Sequence, residues 1–555
     1  MNDKKGFFYK GKTLISNFNP EGKANFIADS LEIIDRTLFL CPSPLHGYGL
    51  ERLLERLNNM PNCAVLCIEA DPDLYDLSYK HLGASNFAGN PKLFLSNCCD
   101  EVQLCKLLRQ KWGARFFRRV ELVHFTGGWQ LSPELYQKIF KSLHREAAID
   151  WGNALTLVRL GRYFMRNVIR NLSMLHENNC FSPFSFGSDP VLLLGAGPSL
   201  DNVLNYLYSR FGSALNETDK RPFRIICVDT CLPALKERGI RPDLAVILES
   251  QHWNLKDFIG LSGWQTAQAL DLSALPRSAS VLCGPKLWFF TPWTELKIFS
   301  RLESAGLLLE KLPPLGSVGL SAVSVALRLT QGNIIIAGLD FSFTADKFYA
   351  RGTPGYWEKL RFHNRFTGLL NEREAFGETA YRAVSKNNEQ VYTKPVLRSY
   401  RDLFEREFSK SARVFDCFDS GLPLGLKSLT VQQACELLSA GSCGFKSPLG
   451  SSLEGSSVKI IDFIRCEQKR LLSIRKMLTG EAHTDQAELA ALIDECDYLW
   501  SHFPEWAATE RRPGIDALET WNPSAISFLK RVRAEIDPFL KLWEQAFNQL
   551  ALKHK

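Results

Sequence analysis

The chain has 555 residues, 45% of them hydrophobic and 23% charged, and carries a formal net charge of +7. That length exceeds a single hydrophobic core and implies roughly three or four domains. The composition excludes a largely disordered chain, and so small a charge on so long a chain gives no ground for a nucleic-acid partner. No apolar run is long enough for a membrane span. The first residues, Met1 to Lys23, lack both the apolar segment and the cleavage site of a secretory signal, so the expected location is the cytoplasm.

The fifteen cysteines are spread from Cys41 to Cys496. Cys67, Cys227 and Cys283 sit in apolar, strand-like runs, which suits buried thiols in a reducing compartment. The close pairs Cys63/Cys67 and Cys227/Cys231 have no second pair at zinc-ribbon spacing, and no structural metal is expected.

In chain order, Thr37–Cys41 reads as a strand, Pro42–Gly49 as a turn, Leu50–Leu57 as an amphipathic helix, and Ala64–Ile68 as a second strand ending at Glu69. An acidic residue at that strand end is where such folds hold a ribose. The turn Pro-Ser-Pro-Leu-His-Gly-Tyr-Gly lacks the close-approach glycine pattern, so this domain is read as a degenerate nucleotide fold that has lost its ligand, with a methyltransferase-like site second. Asp71-Pro72-Asp73 is a helix start. Residues 100–180 carry helical periodicity, clearest at Leu157, Leu160, Phe164 and Val168, and bridge to the next domain.

From about 185 to 425 short apolar strands alternate with helices: Val191–Leu194, Phe223–Val228, Leu244–Leu248, Ser280–Cys283 and Asn333–Ala337. This alternation predicts a mainly parallel sheet with helices on both faces. The first strand runs into Gly195-Ala196-Gly197-Pro198-Ser199 and then a helix through Leu200, Val203, Leu204 and Leu207. Such a turn lets backbone approach a ligand and aims amides at an anion, although the same layout also arises from packing alone. Between Arg351 and Arg413 there are thirteen Lys and Arg against eight Asp and Glu, either a solvated surface or a rim facing an anion. Gly441–Ser457, rich in Gly and Ser, is a linker. Beyond it lie three helical stretches: Ile460 to Leu478 stopping at Gly480, one opened by a capping box at Asp485 and Glu488, and one starting at Asn522-Pro523 and kinked at Pro538.

Ligands of parallel sheets sit beyond the carboxyl ends of the strands. The residues placed there are Gly195 to Ser199, Asp229 and Thr230, Glu249 and Ser250, Gly284 to Lys286, and Asp340. A second small-residue turn, Gly316-Ser317-Val318-Gly319, opens a helix and offers another anion site. Asp229 has an alternative duty as a helix cap, Asp340 as a turn closer, His252 as a packing or surface histidine, and Pro242-Asp243 reads as a structural loop. Glu249, beside Ser250 and His252, has no evident capping duty.

The ordered set GAGPSLD, VDTCLPALKERGIRPDLAVILES, LGSVGLSAVSVALRLTQGNIIIAGLDFSF and YARG resembles the motility-associated factor family of flagellin glycosyltransferases, whose central domain is related to sialyltransferases and to archaeal pterin pyrophosphokinases. The resemblance implies an α/β fold. A central Rossmann-like, mainly parallel sheet (185–425) is preceded by a smaller degenerate Rossmann-like domain with its helical bridge (1–180) and followed by a linker (426–457) and an all-helical C-terminal domain (458–555). It implies transfer of pseudaminic or legionaminic acid from a CMP-activated donor to Ser or Thr of flagellin, with no tightly bound cofactor and no metal required. By carry-over, Gly195, Gly197, Pro198 and Ser199 cradle the CMP, Asp229 lies near the ribose or base, and Asp340 borders the reacting centre; Ala196, Thr230, Ser250, Gly316, Ser317 and Tyr349 are further candidates for donor binding. Glu249, Asp340 or His252 supplies the base. Glu249 stands where relatives usually carry Asp, and Tyr349 where a His is expected.

Two alternatives stay open: a pterin-type pyrophosphokinase, which needs Mg and clustered aspartates at the third strand end, and a non-catalytic flagellin-binding scaffold.

Overall fold

The computed structural model describes residues 6–553 apart from 84–86, 88, 114–115, 176–184, 293–295, 308–309, 369, 418–419, 442–455, 481–484 and 509–525. Most of the glycine-serine linker and the Asn522-Pro523 helix start lie outside the described residues. Two compact units are present, Met1–Gly161 with Thr484–Asp494 and Trp500–Val532, and Arg162–His483 with Glu495–Leu499 and Arg533–Lys555. The C-terminal stretch expected to form a helical domain of its own is thus divided between the two units.

The first unit opens with a hairpin of β1 (Phe7–Tyr9) and β2 (Lys12–Ile15) and then builds a four-stranded sheet. Its strands β3 (Thr37–Pro42), β4 (Ala64–Ile68), β5 (Leu93–Ser96) and β6 (Arg119–Leu122) lie in the order β5-β4-β3-β6, all parallel. Side chains of a strand alternate between faces, which separates two cores. Phe39, Cys41, Val65 and Cys67 pack with Leu50, Leu53, Leu54 and Leu57 of helix Leu50–Leu57. Leu38, Leu40, Leu66 and Ile68 pack with Leu104, Trp112, Tyr136 and Ile139. β6 falls inside the stretch, residues 100–180, whose periodicity reads as helical.

At the end of β4, Glu69 is buried with both carboxylate oxygens engaged. One accepts from Ser43 Oγ at 2.5 Å, the other from Asp71 N at 3.1 Å and Tyr136 Oη at 3.3 Å. Burial raises its pKa. Glu69 thus ties the first turn to the sheet with groups of this unit alone. Asp71 starts helix Pro72–Gly83, accepting from the backbone of Asp73 and Leu74.

The second unit holds nine parallel strands: β7 (Val191–Leu194), β8 (Arg224–Val228), β9 (Leu244–Ile247), β10 (Ala267–Asp271), β11 (Lys286–Phe290), β12 (Glu310–Lys311), β13 (Ile334–Ala337), β16 (Val414–Cys417) and β17 (Lys427–Leu429). A hairpin of β14 (Tyr381–Val384) and β15 (Gln390–Thr393) lies between β13 and β16. The sheet order is β12-β11-β10-β9-β8-β7-β13-β16-β17. The chain therefore builds outward from β7 in one direction, returns to pair β13 on the other side of β7, and continues away. The strand order reverses between β7 and β13, where α/β folds place their ligands. Ile334, Ile335 and Ile336 are all fully buried, as a strand covered on both faces requires.

The strand expected at Ser280–Cys283 does not form. Those residues belong to a 3-10 turn and the loop after it, Cys283 is exposed, and the paired strands on either side are β10 and β11. Gly284, Pro285 and Lys286 therefore stand at the amino end of β11, away from the crevice. The linker expected from residue 426 is instead the last strand of the sheet, β17, followed by helix Val431–Leu438 with a full capping box.

Helix Ser456–Thr479 buries Ile460, Ile464, Leu471 and Ile474 and is followed by Gly480 at φ 76°, a conformation glycine adopts without steric cost. Its fully buried Glu467 receives two bonds from Arg301, at 2.8 and 3.1 Å, and one from Tyr498 Oη at 3.2 Å. Helix Ile526–Lys553 is described through Pro538.

Candidate functional site

The glycine turn after β7 packs backbone against backbone on the turn after β13. Gly195 N donates to Ala337 O and Gly197 N to Gly338 O, each at 2.8 Å. A Cβ at Gly195 would lie 2.4 Å from Gly338 O, one at Gly338 (φ 76°) 2.5 Å from Gly195 O, and one at Gly197 2.5 Å from Asp340 Oδ2. These glycines are required by the crossing of two loops.

Asp340 is buried, and its carboxylate accepts from Ser199 N at 2.8 Å and from Ser199 Oγ at 2.5 Å. It therefore caps helix Leu200–Phe211, filling with an internal anion the place where a ligand phosphate was expected. Three amides of the expected cradle, those of Gly195, Gly197 and Ser199, are thus already committed, and Pro198 has none. As a base, Asp340 would have to give up both bonds.

The segment Lys347–Arg351 lies across the same turn. Lys347 Nζ donates to Pro198 O at 3.2 Å, Ala350 N to Ala196 O at 2.9 Å, and Arg351 N to the Asp201 carboxylate at 3.1 Å. Tyr349, between them, is half-buried, and burial raises its phenol pKa. Charges of Lys256 and Asp257, after β9, and of Glu358 and Glu374 also act on that phenol.

A second polar group lies beyond β8 and β9. Asp229, at the end of β8, is buried, and its Oδ1 accepts from Thr230 N at 2.9 Å while its Oδ2 accepts from Asn254 Nδ2 at 2.7 Å. It makes no cap for the helix at Leu232. Asn254 is held by Ser278 Oγ at 2.9 Å and also reaches Asp257 Oδ2 at 3.3 Å. Asp257 is buried, and its Oδ1 has no hydrogen-bond partner among the described residues. Burial, with a smaller contribution from neighbouring carboxylates (Glu249 at Asp229; Asp229 and then Glu249 at Asp257), pushes Asp229 up to about 6 and Asp257 up to about 7. Glu249 is exposed and accepts from Gln251 N at 2.9 Å. His252 is exposed and lies against Trp253, ring centroids 4.1 Å apart.

Ser250 contributes through its backbone. Its carbonyl and that of Ser273 accept from Asn167 Nδ2 at 2.9 and 3.0 Å, and the carbonyls of Leu272 and Ala274 accept from Asn171 Nδ2 at 2.9 and 2.8 Å. Asp271, at the end of β10, accepts from Ser273 and Thr291 and joins the ends of β10 and β11. Asn167, Asn171, Asn254 and Asp257 escape sequence reading because they lie within helical stretches rather than directly after a strand.

The second small-residue turn behaves differently from the first. Ser317 precedes helix Val318–Leu329 in an extended conformation with no side-chain cap, and Gly316 has φ 67°. The first amides of such a helix have no intrahelical partner and carry the positive end of its dipole. Leu339 wedges between the two turns, its Cδ2 2.4 Å from a Cβ position on Gly195 and 2.7 Å from one on Gly319.

Much of the basic excess after Arg351 is neutralised. Lys359 and Lys394 share Glu374, Lys386 meets Asp416 at 2.9 Å and Arg401 meets Glu405 at 2.6 Å. Arg361 and Arg365 lie over Phe362 and Phe366 at the surface. Among the described residues no three His, Cys, Asp or Glu side chains group closely enough to hold a metal ion, and no helix is long and apolar enough to cross a membrane.

A family model described as 6-hydroxymethylpterin diphosphokinase MptE-like matches residues 164–346, a range that holds both turns and the Asp229–Asp257 group. A protein of Treponema pallidum (strain Nichols), described as uncharacterized, is 27% identical over 561 residues, covering 96% of this chain and 92% of that protein. The MAf glycosyltransferase of Magnetospirillum magneticum AMB-1 has a similar structure, with a TM-score of 0.50 and 14% identity over 97% of this chain and 83% of that one. At that identity the likeness concerns the fold. The chain therefore shares its fold with the MAf glycosyltransferase and resembles MptE-like proteins across the part that carries the switch point.

Proposed function

We propose that the chain is a glycosyltransferase that moves a nonulosonic acid, pseudaminic or legionaminic, from a CMP-activated donor to Ser or Thr hydroxyls of flagellin. The observation that carries this reading is the convergence of Asp229, Glu249 and the Asn254–Asp257 turn at adjoining strand ends of a fold shared with a MAf glycosyltransferase. Breaking a bond to a tertiary anomeric carbon builds positive charge on the sugar and negative charge on the departing phosphate. The open helix start at Ser317 suits the phosphate better than the glycine turn, where the Asp340 carboxylate would repel it. On this reading Asp229 and Thr230 contact the ribose or base. Glu249, the exposed carboxylate of the group, takes the proton of the acceptor hydroxyl, with His252 beside it. Because CMP leaves as a monophosphate, no step needs a metal.

Calorimetric titration with CMP tests the site. Glu249→Gln should keep CMP affinity and stop transfer. Ser317→Asp, which places an internal anion at the helix start, should weaken CMP binding by about tenfold or more. The MptE-like match favours a second reading, transfer of a diphosphate from ATP to a pterin hydroxyl. Binding of Mg-ATP with no binding of CMP would replace the first reading by that one.

A further inference from the structure

Outside the crevice, the second unit contains a cavity of about 320 Å³ lined by Arg162, Arg166 and Arg170 of helix Pro133–Leu172 and by Phe539, Lys541 and Gln545 of helix Ile526–Lys553. The three arginines recur every fourth residue, so they share one helix face. Arg162 is paired with Glu535 at 3.0 Å. Arg166, Arg170 and Lys541 have no acidic partner among the described residues, and Arg166 and Arg170 are half-buried. Burial and the neighbouring Arg166 both disfavour the charge on Arg170.

Like charges four residues apart on a helix repel, and taking guanidinium groups partly out of water costs more when no carboxylate compensates. An anion that fits between them removes both costs. Guanidinium groups present planar, forked donors that match phosphate oxygens, and an ammonium on the opposite wall adds a point charge. Phe539 and Leu542 are buried beneath and supply an apolar floor. The volume is that of a small-molecule pocket. Asn167 and Asn171 of the same helix are spent on the loops beyond β9 and β10, so the arginine face is separate from the crevice.

We propose that this cavity binds a small molecule bearing two or more neighbouring phosphate groups, its phosphates between Arg166, Arg170 and Lys541. A free diphosphate and the diphosphate of a nucleotide offer the same chemistry. The test titrates the full-length protein calorimetrically, in low salt, with inorganic pyrophosphate and in parallel with cytidine diphosphate. One equivalent of pyrophosphate should bind, and Arg166→Gln and the exposed-site variant Lys541→Gln should each weaken it by about tenfold or more, with CMP binding at the crevice unchanged. Tighter binding of the nucleotide in the same Lys541-dependent manner assigns the nucleotide source, and equal binding the free diphosphate. Amide exchange of the unsubstituted protein gives an independent readout, since pyrophosphate should protect residues 162–172 and 533–545. Absence of pyrophosphate binding, unchanged affinity in both variants, or protection confined to other segments overturns the proposal.

Discussion

Replacing Asp340 by Asn separates a helix-capping role from a catalytic one. In the folded protein the carboxylate receives two bonds from Ser199, at 2.8 Å from the amide and 2.5 Å from the hydroxyl, in a buried position. A hydrogen bond to a charged group contributes about 1.5–3 kcal/mol, and an Asn side chain keeps one acceptor while turning an NH2 group toward the second donor. The expected loss is therefore about 2–4 kcal/mol, or a fall of roughly 4–10 °C in the melting transition of the unit that holds the nine-stranded sheet. Ser199→Ala removes only the hydroxyl bond and should cost about 1.5–3 kcal/mol. Fluorescence-detected melting of the full chain, with each variant beside the parent, measures both. If Asp340→Asn melts with the parent yet loses transfer, the capping argument fails and Asp340 belongs to the chemistry.

Two further outcomes are expected. Asn167→Ala strips the carbonyls of Ser250 and Ser273 of a shared buried donor, and should lower stability by about 1–3 kcal/mol and raise the exchange rate of amides just beyond β9 and β10. For Asp257, burial raises the pKa from 3.8 to about 7, so between those values the folded state holds a proton that the unfolded state has released. Its contribution to stability is fully present at low pH and declines as pH rises through about 7. Asp257→Asn removes that decline, so the variant should gain stability over the parent near about pH 8 and lose the advantage near about pH 4; a pH-independent difference between the two melting curves would contradict it.

The parallel sheet was legible because its central strands are continuous apolar runs followed by Gly, Asp or Glu, and β7, β8, β9 and β13 fall where the pattern puts them. β10 was not legible, since AQALD carries a buried Gln268 and ends in Asp271, and the aromatic-rich KLWFF of β11 follows a Gly-Pro pair that reads as a strand end rather than a strand start. The same misreading carried Gly284 to Lys286 to the wrong end of the sheet. In the site, sequence placed Asp229, Thr230 and Glu249 correctly at their strand ends. A turn that meets a ligand and one that meets another loop need the same small residues, so the sequence alone points the glycine turn at a phosphate, and only the folded chain brings Gly338 O and Asp340 against it. Asp257 is a functional candidate only through its burial and its approach to Asn254, neither of which spacing along the chain records.

Intact-mass analysis of purified flagellin, incubated with the full-length protein and a CMP-activated nonulosonic acid, tests the central claim most directly. Flagellin should gain the mass of one or more nonulosonic acid residues with the parent protein and none with Glu249→Gln. Flagellin of unchanged mass, in the presence of folded protein that binds CMP, would contradict the assignment.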